Sequence, residues 1–265
     1  MSGYIDLHNH ILPATDDGPA DLKEALSLAR ELADQGYRKV AVTPHANSGR
    51  PERAVIKKKV SALQKALDAE KIPLTLYPGA EQHIEPETAA LLAAGKLMSL
   101  NESRYLLLEL PMFQPLPPYT WQVLARLDHL NYIPIIPHPE RVVALQMNHQ
   151  LLYQLYEAGA LFQVTWTALS GLLGPAALKT ANFMLNANLI HLLATDAHHP
   201  QSRLLYLDKA YSTIEKRLGK KALNQYLTTR PQQVLTDQSL ELAPPLSART
   251  TRPRRIPFLA RLFKV

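Results

Sequence analysis

The chain has 265 residues, ten histidines and no cysteine, with ordinary apolar and charged fractions for a globular protein. The length suits one large domain, and the missing thiols exclude disulfides, zinc–thiolate sites and any cysteine nucleophile. The formal charge of +6 is confined to a tail. Residues 244–265 hold Arg249, Arg252, Arg254, Arg255, Arg261 and Lys264 with no acidic residue, and without those six the 29 basic residues fall to 23, equal to the 23 acidic ones. A neutral body argues against a nucleic-acid partner.

No apolar run reaches membrane-spanning length, and the first residues enter an acidic, histidine-rich segment without a secretory pattern, so a cytoplasmic protein is expected. In chain order, β-rich runs at Tyr4–His8, Lys39–Thr43, Leu74–Pro78, Tyr105–Leu110, Ile133–Pro137, Leu161–Val164 and Ile190–Ala194 predict seven strands. Helical patterns lie between them at Asp21–Gln35, Arg53–Glu70, Pro86–Ala94, Thr120–Asn131, Gln150–Ala158 and Pro175–Ala187. Asp21 is the expected N-cap of the first helix, with Glu24 completing a capping box. Gly36, Gly95 and Gly159 stand where helices end.

Seven strand–helix repeats predict a parallel α/β barrel, closed or distorted. An open doubly wound sheet is the alternative, but no glycine-rich phosphate loop follows the first strand. Helical segments over 204–229 are expected to pack outside the barrel, with Pro231 ending that region. The division is a domain over 1–242 and a basic Pro/Arg-rich tail over 243–265.

The polar residues collect at the strand ends. His8 and His10 share a face at the end of the first strand, and Asp16 and Asp17 follow in the next loop. His45, Glu81, Glu109 and His138 end the second to fifth strands, and Asp196 and His198 follow the seventh. Six of the seven strands thus deliver a metal-capable residue to the end where a barrel builds its active site. A lone histidine there is commonly a cap, but Glu109 inside an apolar run needs a compensating charge. Imidazole and carboxylate without thiolate suit manganese, iron or zinc. The nine ligands His8, His10, Asp17, His45, Glu81, Glu109, His138, Asp196 and His198 exceed the needs of one ion, so two or three are expected.

Together the motifs Asp6-Leu7-His8-Asn9-His10, Asp16-Asp17-Gly18-Pro19, Thr43-Pro44-His45, Gly79-Ala80-Glu81, Leu108-Glu109, Pro137-His138-Pro139-Glu140-Arg141 and Thr195-Asp196-Ala197-His198 resemble the PHP (polymerase and histidinol phosphatase) superfamily. More narrowly, they resemble its bacterial tyrosine-protein phosphatases of the CpsB/YwqE type, from capsule and exopolysaccharide loci. The ordered match runs from about residue 4 to 235. The resemblance implies a distorted (β/α)7 TIM-like barrel and a three-ion site, with manganese the leading metal. One ion falls to His8, His10, Glu81 and Asp196, the second to Glu81, Glu109 and His138, and the third to Asp17, His45 and His198.

The resemblance further implies Arg141, Arg203 and Asp196 as catalytic residues, the two arginines holding phosphate. The implied reaction is hydrolysis of phosphotyrosine on a protein, the tyrosine-rich tail of a membrane-bound polysaccharide co-polymerase kinase. Histidinol-phosphate phosphatase-like and PHP-type nuclease activities are the alternatives. The apolar and basic tail is a candidate for peripheral membrane contact or docking on a neighbouring subunit in a homo-oligomer. Of the other residues, His83 is expected in a loop or behind the ligands, His191 in the barrel wall, His129, His149 and His199 at the surface, and Trp166 in packing.

Overall fold

The structure, a computed structural model, describes residues 3–48, 50–200 and 202–246. Its strands are β1 (Tyr4–Asp6), β2 (Tyr37–Val42), β3 (His45–Ala46), β4 (Thr75–Pro78), β5 (Glu81–His83), β6 (Tyr105–Glu109), β7 (Ile133–Pro137), β8 (Leu161–Thr165) and β9 (Leu192–Ala194). The helices are α1 (Leu22–Asp34), α2 (Arg53–Ala69), α3 (Thr88–Ala93), α4 (Thr120–His129), α5 (Val143–Met147), α6 (Gln150–Glu157), α7 (Pro175–Asn186), α8 (Leu207–Leu218), α9 (Lys220–Asn224) and α10 (Arg230–Leu235).

All pairings are parallel and fall into two sheets, β1-β2-β4 and β3-β5-β6-β7-β8-β9. The split comes from two interruptions. Pro44, which has no N–H for a ladder, separates β2 from β3, and Gly79-Ala80 separates β4 from β5. With each broken pair taken as one position, seven parallel strand positions follow in chain order, the architecture the sequence predicts. No ladder joins β9 to β1. Closure comes beyond the strand ends, where His10 N–H donates to Ala197 O at 2.9 Å and Asp196 N–H to His8 O at 3.1 Å. The result is a distorted α/β barrel.

The barrel interior is packed with Ile5, Leu7, Ala41, Tyr105, Leu107, Ile135, Leu161 and Leu192. A larger apolar layer lies between the strands and the surrounding helices. That makes the barrel a filled core whose open chemistry is at one end.

Several local expectations need correction. Asp21 does cap α1, accepting from Glu24 N–H at 2.9 Å, but the Glu24 carboxylate returns to Ala20 N–H at 2.8 Å, one residue earlier than a capping box requires. A short helix, α5, follows the fifth strand position where none is predicted. Pro231 does not end the helical region: a wide turn over Gln225–Thr229 leads directly into α10, where proline occupies the first turn, a position that tolerates its missing N–H. Beyond it, Val234 and Leu235 join the interior core, with Leu240 and Leu242 packed against it.

The chain then continues as far as Leu246, whose N–H donates to Ala187 O at 2.8 Å. The start of the predicted tail therefore lies against the body, and residues 247–265 lie outside the described residues. Among the described residues no helix is long and apolar enough to cross a membrane.

Candidate metal centre

β1 ends at Asp6, so the two leading histidines lie just past regular strand. Their placement comes from a buried clamp. The Asp6 carboxylate, fully buried, accepts from Thr195 N–H at 2.9 Å, Thr195 Oγ1 at 2.5 Å and Asn9 Nδ2 at 3.1 Å. This ties the segment carrying His8 and His10 to the one carrying Asp196 and His198. Burial raises the Asp6 carboxyl, and the hydrogen bonds from Thr195 and Asn9 oppose that shift.

The structure gathers all nine predicted ligands. His8 Nε2 lies 3.0 Å from His10 Nε2, 3.2 Å from Glu81 Oε2 and 3.5 Å from Asp196 Oδ1. His138 Nε2 lies 2.8 Å from Glu81 Oε1 and 3.9 Å from Glu109 Oε1. Asp17 Oδ1 lies 3.5 Å from His45 Nε2 and 3.3 Å from His198 Nε2. His45 stands between groups, because its Nδ1 is also 3.0 Å from Glu81 Oε2. Three sets have ligand atoms close enough to hold one ion each: His8, His10 and Glu81; His45, Glu81 and Glu109; and His10, Asp17, His45 and His198. These overlap the implied partition but place both His10 and His45 in two sets and leave out His138 and Asp196.

The donor chemistry fits metal. His8 Nδ1 faces Gln163 Oε1 at 3.0 Å, His10 Nδ1 faces Asp16 Oδ2 at 2.7 Å, and His198 Nδ1 faces the Asp196 carbonyl at 2.9 Å. An acceptor on Nδ1 puts the proton there and leaves Nε2 with a lone pair. The Nε2 lone pairs of His8 and His10 therefore point at each other and at Glu81 Oε2, an oxygen that is buried without a hydrogen bond. For neutral imidazoles this convergence of acceptors suits a cation, and without metal a proton held on His10 fills the same place.

Protonation follows the same field. Burial alone lowers the His10 imidazole, but Asp16 and Glu81 outweigh it and push it up to about 10. His45 and His138 are raised in the same way, burial again being overcome by Glu81. Burial drives His198 down to about 4, reinforced by His10. Glu81 and Asp196 resist the upward push of burial and lie well below the usual carboxylate range, held there chiefly by His8.

Backbone geometry adds its own signature. His138 (φ 35°, ψ 48°) and Asp196 (φ 53°) both adopt the left-handed region without being glycine. Each costs on the order of 1–3 kcal/mol, a strain characteristic of functional positions. Gly18 shows the opposite device: a Cβ there meets the His10 carbonyl oxygen at 2.0 Å, so only glycine lets the Asp16-Asp17 loop close on the ligands.

Arg141 and Arg203 meet on one atom, donating to Asp196 Oδ2 at 2.9 and 2.5 Å. Asp196 Oδ1 faces the histidines, so this carboxylate divides cations from ligands. Both arginines line a cavity of about 410 Å³ whose walls include Asp17, His45, Glu109 and His138.

Asp16 and Gln163, which orient His10 and His8, have no predicted role. For Gln163 the sequence signal is an amide inside the buried strand β8, the strand position that delivers no ligand. His83 lies 3.6 Å from Glu109 Oε2 and is partly exposed. Trp166 is buried edge-on against Tyr211, and His199 pairs with Glu24 at the surface. His191 is in the wall, accepting from Phe162 N–H at 2.9 Å.

The chain is similar to known proteins. Residues 4–236 match the family described as capsular polysaccharide synthesis, CpsB/CapC. The chain is 38% identical over 243 residues to the tyrosine-protein phosphatase YwqE of Bacillus subtilis, covering 91% of this chain and 95% of that one. It is 30% identical over 241 residues to the tyrosine-protein phosphatase CpsB of Streptococcus pneumoniae, covering 88% and 99%. A crystal structure from work on those two proteins, described there as unique metal-dependent tyrosine phosphatases, superposes with a TM-score of 0.87 at 37% identity, covering 93% of this chain and all of that one.

Proposed function

The chain belongs to the CpsB/CapC family of capsular polysaccharide synthesis, and on that premise we propose that it is a metal-dependent protein-tyrosine phosphatase. The observation that carries this reading is the meeting of a multi-ion ligand cluster with two arginines on a single carboxylate, at the floor of one cavity. His8, His10, Glu81 and Asp196 would hold one ion, Glu81, Glu109 and His138 a second, and Asp17, His45 and His198 a third. Manganese is the proposed metal, iron and zinc sharing the same ligand preferences. When bound, such ions neutralise phosphoryl charge and acidify water.

The chain's own residues do the rest. Among the described residues Arg141 and Arg203 each use one N–H on Asp196, so most of their guanidinium donors remain for phosphate oxygens. Asp16 and Gln163 hold two histidines as Nε2 donors. The Asp6 clamp keeps the ligands of β1 and β9 in register. Tyrosine leaves as a phenolate with a pKa near 10, a better leaving group than a serine alkoxide, and so asks little of a general acid.

The proposed protein substrate is the phosphorylated tail of a membrane-bound polysaccharide co-polymerase kinase. Side-by-side turnover tests the reading: manganese-loaded protein should hydrolyse a phosphotyrosyl peptide with higher kcat/KM than histidinol phosphate or a phosphoseryl peptide. Preference for histidinol phosphate would replace it with the small-molecule reading.

A further inference from the structure

The rim of the catalytic cavity is chemically divided. The loops after β1, β3 and β5 are acidic, with Asp17, Glu52, Glu85 and Glu87 among their residues against the single Arg50. On the other side, residues 110–119 after β6, 142–147 after β7 and 166–178 after β8 contain no charged residue. Phe113 is 81% exposed and Met147 is 83% exposed, values unusual for side chains of that size.

Two bonds fix this apolar ridge to the site. Met112, which lines the cavity, accepts from Val143 N–H at 2.9 Å, joining the loop of Phe113 to the start of α5. Gln146 Nε2 donates to the Glu140 carbonyl at 2.8 Å, holding α5 against the turn that carries Arg141. Val143 and Met147 lie four residues apart on one helical face and are both exposed. The ridge is thus continuous with the phosphate-binding arginine.

We infer that Phe113, Val143 and Met147 form a docking ridge for apolar, uncharged residues flanking the phosphotyrosine of an extended peptide. This rests on the phosphatase reading. A phosphotyrosyl side chain that reaches Arg141 leaves its own backbone on the rim, and the next residues lie about 3.3–3.6 Å further along for each step. Over the uncharged half they meet apolar side chains whose burial is favourable. Over the acidic half a negatively charged flank meets repulsion.

Three peptides that share a central phosphotyrosine, flanked by leucine, glycine or aspartate, test the inference in steady-state phosphate release by the full-length, manganese-loaded protein. The leucine peptide should exceed the glycine peptide by about tenfold in kcat/KM, with the aspartate peptide lowest. Phe113→Ser and Met147→Ser should each shrink the leucine-to-glycine ratio several-fold. Because both peptides are measured on the same preparation, a partly unfolded variant leaves that ratio untouched.

A ratio near one in the unaltered protein, or one unchanged in both variants, overturns the inference. So does a concentration-dependent dimer in sedimentation that Met147→Ser abolishes, which would assign the ridge to a second copy. Failure to hydrolyse any phosphotyrosyl compound, free phosphotyrosine included, would instead defeat the underlying phosphatase reading and the inference with it.

Discussion

Asp16 offers a sharp test of how the centre is built, because it touches the ring of His10 and the backbone of His45 without being a predicted ligand. Its Oδ2 accepts from His10 Nδ1 at 2.7 Å and from His45 N–H at 3.0 Å, and its Oδ1 accepts from Gly18 N–H at 3.1 Å. Asp16→Asn keeps the volume, but one of its terminal atoms becomes a donor that faces another donor. The charge-assisted bond that makes His10 Nε2 a strong lone-pair donor becomes a neutral one, a loss of roughly 1–3 kcal/mol. Removing an orienting partner of a metal-bound histidine typically weakens binding about 10–100-fold. Manganese titration, followed by the paramagnetic signal of free ion, should show one class of site weakened by that factor. Saturating manganese should restore most of the turnover. Unchanged affinity in the variant, or activity lost beyond recovery at saturating metal, would refute the assignment of Asp16 as an orienting group.

Three further outcomes follow from the same geometry. Gly18→Ala places a methyl group against the His10 carbonyl, so activity should fall at least tenfold and stability by about 1–3 kcal/mol; wild-type turnover would contradict the close approach. His10, held up to about 10 without metal, must release its proton on binding, so apparent manganese affinity should rise with pH between 6 and 8, by about tenfold per unit for each proton released. Calorimetry in buffers of different ionisation enthalpy counts those protons, and a flat profile would exclude the competition. His191 is driven by burial down to about 3, so below its unfolded value near 6.5 only the unfolded chain takes up the proton. Stability from this group is present above pH 6.5 and is lost as pH falls towards 3, amounting to about 2 kcal/mol by pH 5. His191→Gln should flatten that acid limb in denaturant titrations, and an unchanged slope would sink the idea.

The ligands were legible in the sequence because a parallel barrel sends the end of every strand to one rim, so strand position alone predicts convergence. His45, Glu81, Glu109 and His138 needed only the strand pattern to be placed. What remained hidden depends on partners far apart in the chain. Asp16 beside Asp17 does not show which carboxylate faces outward, and only the turn onto Gly18 makes Asp16 the group behind His10. Gln163 meets His8 across 155 residues. The interruptions at Pro44 and Gly79-Ala80 are visible as residues, yet their consequence, two sheets instead of one, depends on register. Pro231 misled because proline breaks a helix interior but suits a first turn, and the preceding wide turn supplies a fresh start. His10 and His45, each close to two groups of ligands, are the remaining difference, since the neighbours a side chain reaches are set by the fold and not by its place in a motif.

If these residues form one metal centre that hydrolyses phosphotyrosine, phosphate release from a phosphotyrosyl peptide depends on bound metal and on every ligand. Protein stripped with chelator should be inactive, manganese should restore turnover, and His138→Ala should remain at least a hundredfold slower at saturating metal, since it leaves Glu81 and Glu109 without their shared imidazole. Equal turnover by His138→Ala, or full activity after chelation, would rule out a metal centre at these residues.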